Sequence, residues 1–297
     1  MKGQIRKALA GFYYIYSEGK TYQTRARGNF RKRKITPLVG DFVEFESENT
    51  TDGYLLALEP RHNELVRPAV ANIDQGIVVM SVVEPNFSAN LLDRFLVTLE
   101  YEKIHGIIYL TKLDLIDVKA MQTFKEIKQA YEKIGYPVIL ASDDSLEELL
   151  HHFPNHLSVF MGQSGAGKST LLNRISPDLA LATGEISGSL GRGKHTTRHV
   201  ELHPINKGLV ADTPGFSAID FSVMENTELS KQFPEFVKVS GNCKFRECLH
   251  VHEPNCAVKE AVEDNEILTS RYENYLQFLL EIENRKPIYQ KKGKKQK

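Results

Sequence analysis

The sequence has no apolar stretch long enough to cross a bilayer, very little cysteine and no net charge. Each absence narrows what it can be. No run approaches the ~18 consecutive apolar residues of a spanning helix. The first residues, Met1-Lys2-Gly3-Gln4-Ile5-Arg6-Lys7, lead into no apolar segment of the secretory type. A cytosolic (cytoplasmic) protein without membrane contact is therefore expected. The three cysteines all fall between residues 243 and 256. An odd count in one short window argues against a disulfide framework and for a metal site. The formal charge of +0 hides an uneven distribution. Acidic residues are missing from Gly19 to Gly40, which carries Lys20, Arg25, Arg27, Arg31, Lys32, Arg33 and Lys34, and again from Arg285 to Lys297. Such blocks suit a polyanionic partner such as RNA, although a charge run is often only a solvated face.

What is present divides the 297 residues into three segments. Residues 1–68 contain short β-type runs, among them Ala10–Tyr16, Asp41–Phe45 and Gly53–Leu58, separated by turn material such as Ser17-Glu18-Gly19-Lys20. About five such strands predict a small barrel, an OB-fold first and an SH3-like module as the alternative, with the basic loop between its second and third strands. Residues 69–221 alternate β and α. Gly76–Ser81, Gly106–Leu110, Pro137–Leu140 and Leu157–Met161 read as buried parallel strands, and Ala120–Ile134 as a helix ending at Gly135. Residues 222–297 hold the cysteines, a helix expected from about Val258 to Asn284 with Leu268, Tyr272, Tyr275, Leu276 and Leu279 on its apolar face, and a basic tail. The fold class is multidomain α/β with a C-terminal zinc-binding α unit.

Gly162-Gln163-Ser164-Gly165-Ala166-Gly167-Lys168-Ser169 matches the phosphate-binding pattern G-x-x-x-x-G-K-[ST], with a strand before it and the helix-forming run from Thr170 after it. Its backbone N–H groups and the helix N-terminus favour phosphate. Lys168 is expected on the β- and γ-phosphates, and the Ser169 hydroxyl on Mg²⁺. Asp212-Thr213-Pro214-Gly215 ends another apolar run roughly 45 residues later. There Asp212 can hold Mg²⁺ directly or through water, and the Gly215 N–H can sense the γ-phosphate. Between the two lies Gly191-Arg192-Gly193-Lys194-His195-Thr196-Thr197-Arg198, suited to a switch in which Thr197, or Thr196 in its place, completes the Mg²⁺ shell.

Thr111-Lys112-Leu113-Asp114 resembles the base-reading N/T-K-x-D element, but it precedes the phosphate loop instead of following it. The Asp114 carboxylate can accept from guanine N1–H and the exocyclic amine, a pair adenine does not offer. The Lys112 stem can cover one face of the base, and Ala141-Ser142 can supply a second base-contacting loop. Thr111 stands where Asn is commoner. Its missing amide calls into question the guanine N7 contact and the brace to the phosphate loop, though not the Asp114 contact. After D-x-x-G comes Phe216, which cannot position water as a glutamine would. His195 is the nearest candidate for that role, an ordinary loop histidine being the alternative. Cys243-x4-Cys248-x-His250-x5-Cys256 offers the three thiolates and one imidazole of a closed, structural Zn²⁺ shell, with His252 competing for the fourth place.

On these residues the chain resembles the RsgA family of circularly permuted GTPases that act on the small ribosomal subunit. The resemblance runs through the N-terminal β module, Leu91-Leu92-Asp93-Arg94, Thr111–Asp114, Gly162–Thr170, Gly191–Thr197, Asp212–Phe216, and Cys243–Cys256 with Glu253-Pro254. It implies an OB-fold, a permuted P-loop GTPase domain and a zinc-binding C-terminal domain, docked as a monomer on the 30S subunit and its 16S rRNA. It further implies GTP hydrolysis stimulated by that subunit, a role in late 30S maturation, and His250 as the zinc ligand in preference to His252. An ATP-using kinase or ATPase shares the phosphate loop but leaves Asp114 unexplained. An RNA-binding scaffold with a vestigial nucleotide site is the remaining alternative.

Overall fold

The computed structural model describes residues 1–28, 30, 33–66, 68–142, 144–177, 200–212, 221 and 224–285. The chain forms two compact units, Met1–Ile219 and Asp220–Lys297.

The first unit opens with five strands: β1 (Lys2–Leu9), β2 (Phe12–Ser17), β3 (Lys20–Ala26), β4 (Phe42–Ser47) and β5 (Gly53–Leu58). Two-residue turns join the first three, Ala10-Gly11 and Glu18-Gly19, with all four residues at positive φ. That is the turn geometry that matches the twist of a tight hairpin. The strands run in the order β1-β2-β3-β5-β4, and β4 returns to pair with β1, closing an OB-type barrel. Ile5, Ile15, Val43, Phe45 and Leu55 are fully buried inside it. The residues from Lys20 to Ala26, read from sequence as part of a basic loop, are strand β3. The remaining basic stretch therefore lies between the third and fourth strands, not the second and third. Thr21, Tyr22 and Thr24 suit a half-buried strand well enough to hold Lys20 and Arg25 in the ladder.

A short hairpin, β6 (Glu64–Val66) and β7 (Ala69–Ala71), leads out of the barrel. Arg61 forks onto the fully buried Asp41 carboxylate (2.6 and 2.7 Å), which ties this linker to the barrel. Six further strands follow: β8 (Gln75–Ser81), β9 (His105–Thr111), β10 (Val138–Leu140), β11 (Leu157–Met161), β12 (Glu201–Ile205) and β13 (Gly208–Asp212). Their order in space is β10-β9-β8-β11-β13-β12, parallel except for β12. The strands expected from sequence are present, and β12, which was not anticipated, is added between β13 and the barrel. Helices Ala89–Tyr101, capped by Ser88, and Val118–Ile134, capped by Asp117, are crossovers between parallel strands. The second ends at Gly135, with φ 126°. Lys7 of β1 pairs with Glu201 of β12, so barrel and α/β layer share one continuous sheet.

The second unit packs helices Asn226–Leu229, Pro234–Ser240, Ala257–Glu263 and Thr269–Glu283 around buried Phe233, Phe236, Tyr275 and Phe278. The single helix expected from Val258 to Asn284 is two. Asn265 takes a left-handed φ of 61°, and the N–H groups of Glu266 and Ile267 both turn back onto the Ala261 carbonyl. That closes the first helix as a C-cap does. The buried face of the longer helix also differs from the expected one. Arg271, Tyr275, Phe278, Leu279 and Ile282 point inward, while Leu268 is exposed. Arg271 is fully buried and forks onto Glu235 (2.6 and 3.0 Å), a geometry that satisfies both charges.

Candidate nucleotide and metal sites

The parallel strands β8, β9, β11 and β13 end along one edge of the sheet, where α/β proteins bind their ligands. The phosphate loop leaves β11 there, and three of its glycines require positive φ: Gly162 (137°), Gly165 (79°) and Gly167 (94°). At Gly162 space is also decisive, since a Cβ would lie 2.1 Å from the Val79 carbonyl oxygen of β8. The loop ends in the helix Lys168–Ile175. The Lys168 ammonium donates to the carbonyls of Gly162 (2.6 Å) and Gln163 (2.7 Å), and burial lowers its pKa. The Gln163 side-chain nitrogen is buried with no partner among the described residues. Ala166 is buried, Ser169 half-buried, and Ser164 and Thr170 exposed. A glycine-lined cradle, a poised cation and an orphaned donor fit a phosphorylated ligand.

The base-reading segment sits beside this loop although Thr111 and Ala166 lie 55 positions apart in sequence. Ser81 of β8 pairs with Thr111 of β9. The buried Thr111 hydroxyl donates to the Ala166 carbonyl at 2.7 Å. The brace that loss of the amide placed in question is thus made by the hydroxyl. Lys112 follows in a left-handed conformation (φ 61°), and its ammonium donates to the Glu84 carbonyl. Asp114 lies exposed in the one-turn helix Leu113–Leu115. At the next strand end, Ala141 donates to the Leu110 carbonyl (2.9 Å). Ser142 donates its N–H to the Ser145 hydroxyl (3.0 Å), which returns a bond to the Ser142 carbonyl (2.8 Å) and lies 2.8 Å from the Tyr109 hydroxyl. Tyr109 and Ser145 thereby shape the Ala141-Ser142 loop. Sequence reading missed both, because nothing local marks a contact across 36 residues. It also missed the turn Val82–Phe87, whose Pro85 packs 3.5 Å from the position of a Cβ on Gly165. The dipeptide Glu84-Pro85 was the available signal.

Asp212 closes β13, whose neighbour β11 feeds the phosphate loop. Its side chain lies outside the described residues, as do Gly215, Phe216, and the candidate switch residues His195, Thr196 and Thr197.

In the second unit the ligand atoms of Cys243, Cys248, His250 and Cys256 all lie within 4.8 Å of one another. His250 Nδ1 is 3.3 Å from Cys256 Sγ and 3.7 Å from Cys243 Sγ, while His252 is exposed and outside the cluster. Three sulfurs and one imidazole at this separation fit the tetrahedral shell of zinc, with Zn–S near 2.3 Å. Burial pushes the Cys248 thiol up to about 12 and raises Cys256 as well, so a metal must displace their protons. Burial also lowers the pKa of His250, which favours the neutral, ligating imidazole. Glu253 accepts from Leu249 N–H (2.7 Å) and Val251 N–H (2.9 Å), fixing the loop through His250. Tyr272 and Tyr275 donate to the carbonyls of His250 (2.7 Å) and Leu249 (2.5 Å). These two tyrosines, read from sequence as an apolar stripe, carry polar tips aimed at the cluster.

Known proteins resemble this chain over nearly its whole length. A family model for the RsgA N-terminal domain matches residues 2–55, one for the RsgA GTPase matches residues 58–222, and one for 50S ribosome-binding GTPases matches residues 158–288. A small ribosomal subunit biogenesis GTPase RsgA from Enterococcus faecalis is 69% identical over 294 residues, covering 99% of both chains. One from Lactococcus lactis is 54% identical, covering 99% of this chain and 98% of its own. Among solved structures, YloQ, a circularly permuted GTPase, superposes with a TM-score of 0.84 at 48% identity, covering 97% of this chain and 96% of that one. YjeQ from Thermotoga maritima superposes with a TM-score of 0.84 at 34% identity, covering 96% and 99%.

Proposed function

The chain belongs to the RsgA family of GTPases, and on that premise we propose that it acts on the small ribosomal subunit in the cytoplasm, in the late steps of subunit maturation. It hydrolyses GTP to GDP and phosphate. We assign the guanine base to Asp114, Lys112, Thr111 and the Ala141-Ser142 loop, and the phosphates to Gly162–Thr170 with Lys168. Ser169, Thr197 and Asp212 would hold Mg²⁺, which supplies charge neutralisation on the phosphates. Gly215 would sense the γ-phosphate, and His195 is the candidate to position water, since Phe216 cannot. Zn²⁺ bound by Cys243, Cys248, His250 and Cys256 would be structural. In the division of labour we favour, residues 1–68 and 222–297 face 16S rRNA, residues 69–221 carry the nucleotide, and the protein works as a monomer.

The observation that carries this reading is the Thr111–Ala166 hydrogen bond. It holds Thr111 of the one motif against Ala166 of the other, although the chain delivers the two in inverted order.

GTP turnover measured with purified 30S and 50S subunits tests it. Stimulation by 30S alone is expected, weakening as salt rises. Stimulation by 50S alone would overturn the choice of subunit. Equal affinity for GTP and ATP, unchanged by Asp114→Asn, would overturn the guanine site itself.

A further inference from the structure

The outer face of the barrel is built from rings and guanidinium groups in register. Along β2, Phe12, Tyr14 and Tyr16 alternate with the inward-facing Tyr13, Ile15 and Ser17. Alternation places the three outer rings about 6.8 Å apart, two residues of strand rise. On β1 the ladder is irregular between Ile5 and Lys7, leaving Arg6 as the extra residue. A bulge re-aims its side chain, and the Arg6 guanidinium lies 3.6 Å from the centre of the Tyr16 ring. Arg6 Nε is buried with no hydrogen-bond partner among the described residues, so stacking is the contact that places this group. On the other side, Phe12 faces Arg25 of β3, whose guanidinium lies 4.5 Å from the ring centre. Arg25 in turn faces Tyr54 of β5, 47% exposed. The basic character stops there, because Glu46 sits opposite Tyr54 and pairs with Arg27.

Folding alone does not call for this arrangement, since the barrel's interior is filled by other residues. We propose that the outer face of β1, β2 and β3 is a stacking platform for unpaired bases of a single-stranded RNA segment, with Tyr16–Arg6 and Phe12–Arg25 as two stacked seats. Aromatic rings and guanidinium planes both offer flat faces to a base, and stacking tolerates any base identity. A duplex hides its base faces and presents only phosphates and groove edges, so this surface discriminates against it. Arg25, exposed on β3 and on the same face as Phe12, meets the phosphates. The inference rests on the RNA-facing role proposed above for the barrel and specifies what kind of RNA it takes.

The test measures binding of the full chain to an oligouridylate of about 12 nucleotides and to an RNA duplex of equal length. Phe12→Leu and Tyr16→Leu are each expected to weaken single-strand binding about tenfold and leave duplex binding unchanged. Arg25→Lys keeps the charge but loses the plane. It should weaken single-strand binding without altering the salt slope, and it carries the test if an aromatic variant fails to fold. Wild-type affinity in the variants, or equal loss for both RNAs, overturns the platform. Turnover with 30S subunits, run in parallel on the wild type, separates the two readings. Stimulated turnover beside unaffected variants removes the platform alone. Absent stimulation beside weakened variants removes the subunit assignment and keeps the platform.

Discussion

At Thr111 a single hydroxyl connects the base-reading strand to the phosphate loop. Its bond to the Ala166 carbonyl is buried, so removing the donor takes a partner from an acceptor screened from solvent. Such a loss costs about 1–3 kcal/mol. Thr111→Val is therefore expected to weaken GTP and GDP binding about tenfold, read by titration with a fluorescent guanine nucleotide. Unchanged affinity would mean the brace is dispensable. Gly162 is a harder constraint, because its φ of 137° and the 2.1 Å approach to the Val79 oxygen both exclude a side chain. Gly162→Ala should destabilise the loop by roughly 3 kcal/mol or more and abolish nucleotide binding. At this scale the phosphate-loop glycines and the Cys₃His cluster were legible in the sequence, because the chemistry of phosphate and of a tetrahedral metal dictates their spacing. Thr111's partner, Tyr109, Ser145 and Glu253's role were not, because each acts through a contact that only the tertiary fold creates.

At the scale of elements, the zinc loop shows how one carboxylate can organise a segment. Burial pushes the Glu253 carboxyl up, but backbone N–H groups of Leu249, Val251, His252 and Glu253 together outweigh it and hold it below the usual carboxylate range. A group depressed in the folded state stabilises above its unfolded pKa, near 4.3 for Glu, and loses that contribution as pH falls through the folded value. Glu253→Gln should lower the melting temperature of the second unit at neutral pH by a few degrees, about 1 kcal/mol of hydrogen bonding. It should also flatten the unit's acid dependence below pH ~4.3, followed by circular dichroism. Chelation tests the cluster more directly. Removing metal is expected to melt the aromatic nucleus around Phe236 and Tyr275, which packs against His250, while guanine-nucleotide affinity of the first unit survives. A chelated protein with unchanged near-ultraviolet signal would show that the cluster is not structural. Element boundaries were the least legible feature. The break at Asn265 and strand β3 both turn on residues whose local preference is weak, and tertiary packing decided them.

At the scale of the whole molecule, chain order determines what each motif is covalently next to. In space, β11 lies between β13 and β8, with β9 beyond, a complete nucleotide-binding edge that discloses nothing of the permuted order. The difference lies in the connections. The second unit begins at Asp220, eight residues beyond Asp212, so the chain passes from β13 into the unit that carries the cysteine cluster almost at once. On the other flank, β12 starts at Glu201, four residues after Thr197, and its first residue pairs with Lys7 of the barrel. The Lys7 ammonium also lies 2.6 Å from the Glu201 carboxylate. Both flanks therefore meet segments expected to respond to the γ-phosphate. A half-exposed ion pair at the surface contributes only ~0–1 kcal/mol to stability, so its replacement is expected to leave the fold intact and to isolate any role in coupling. Lys7→Glu is expected to lower 30S-stimulated turnover severalfold with intrinsic GTP hydrolysis unchanged, and Glu201→Lys to do the same. The double exchange restores opposite charges across the same ladder position, so it should recover most of the stimulation. Recovery would separate coupling through the shared sheet from a simple contact between Lys7 and RNA phosphate, which the exchange cannot rebuild. Two single variants with full stimulation would show that the barrel senses the nucleotide by another route.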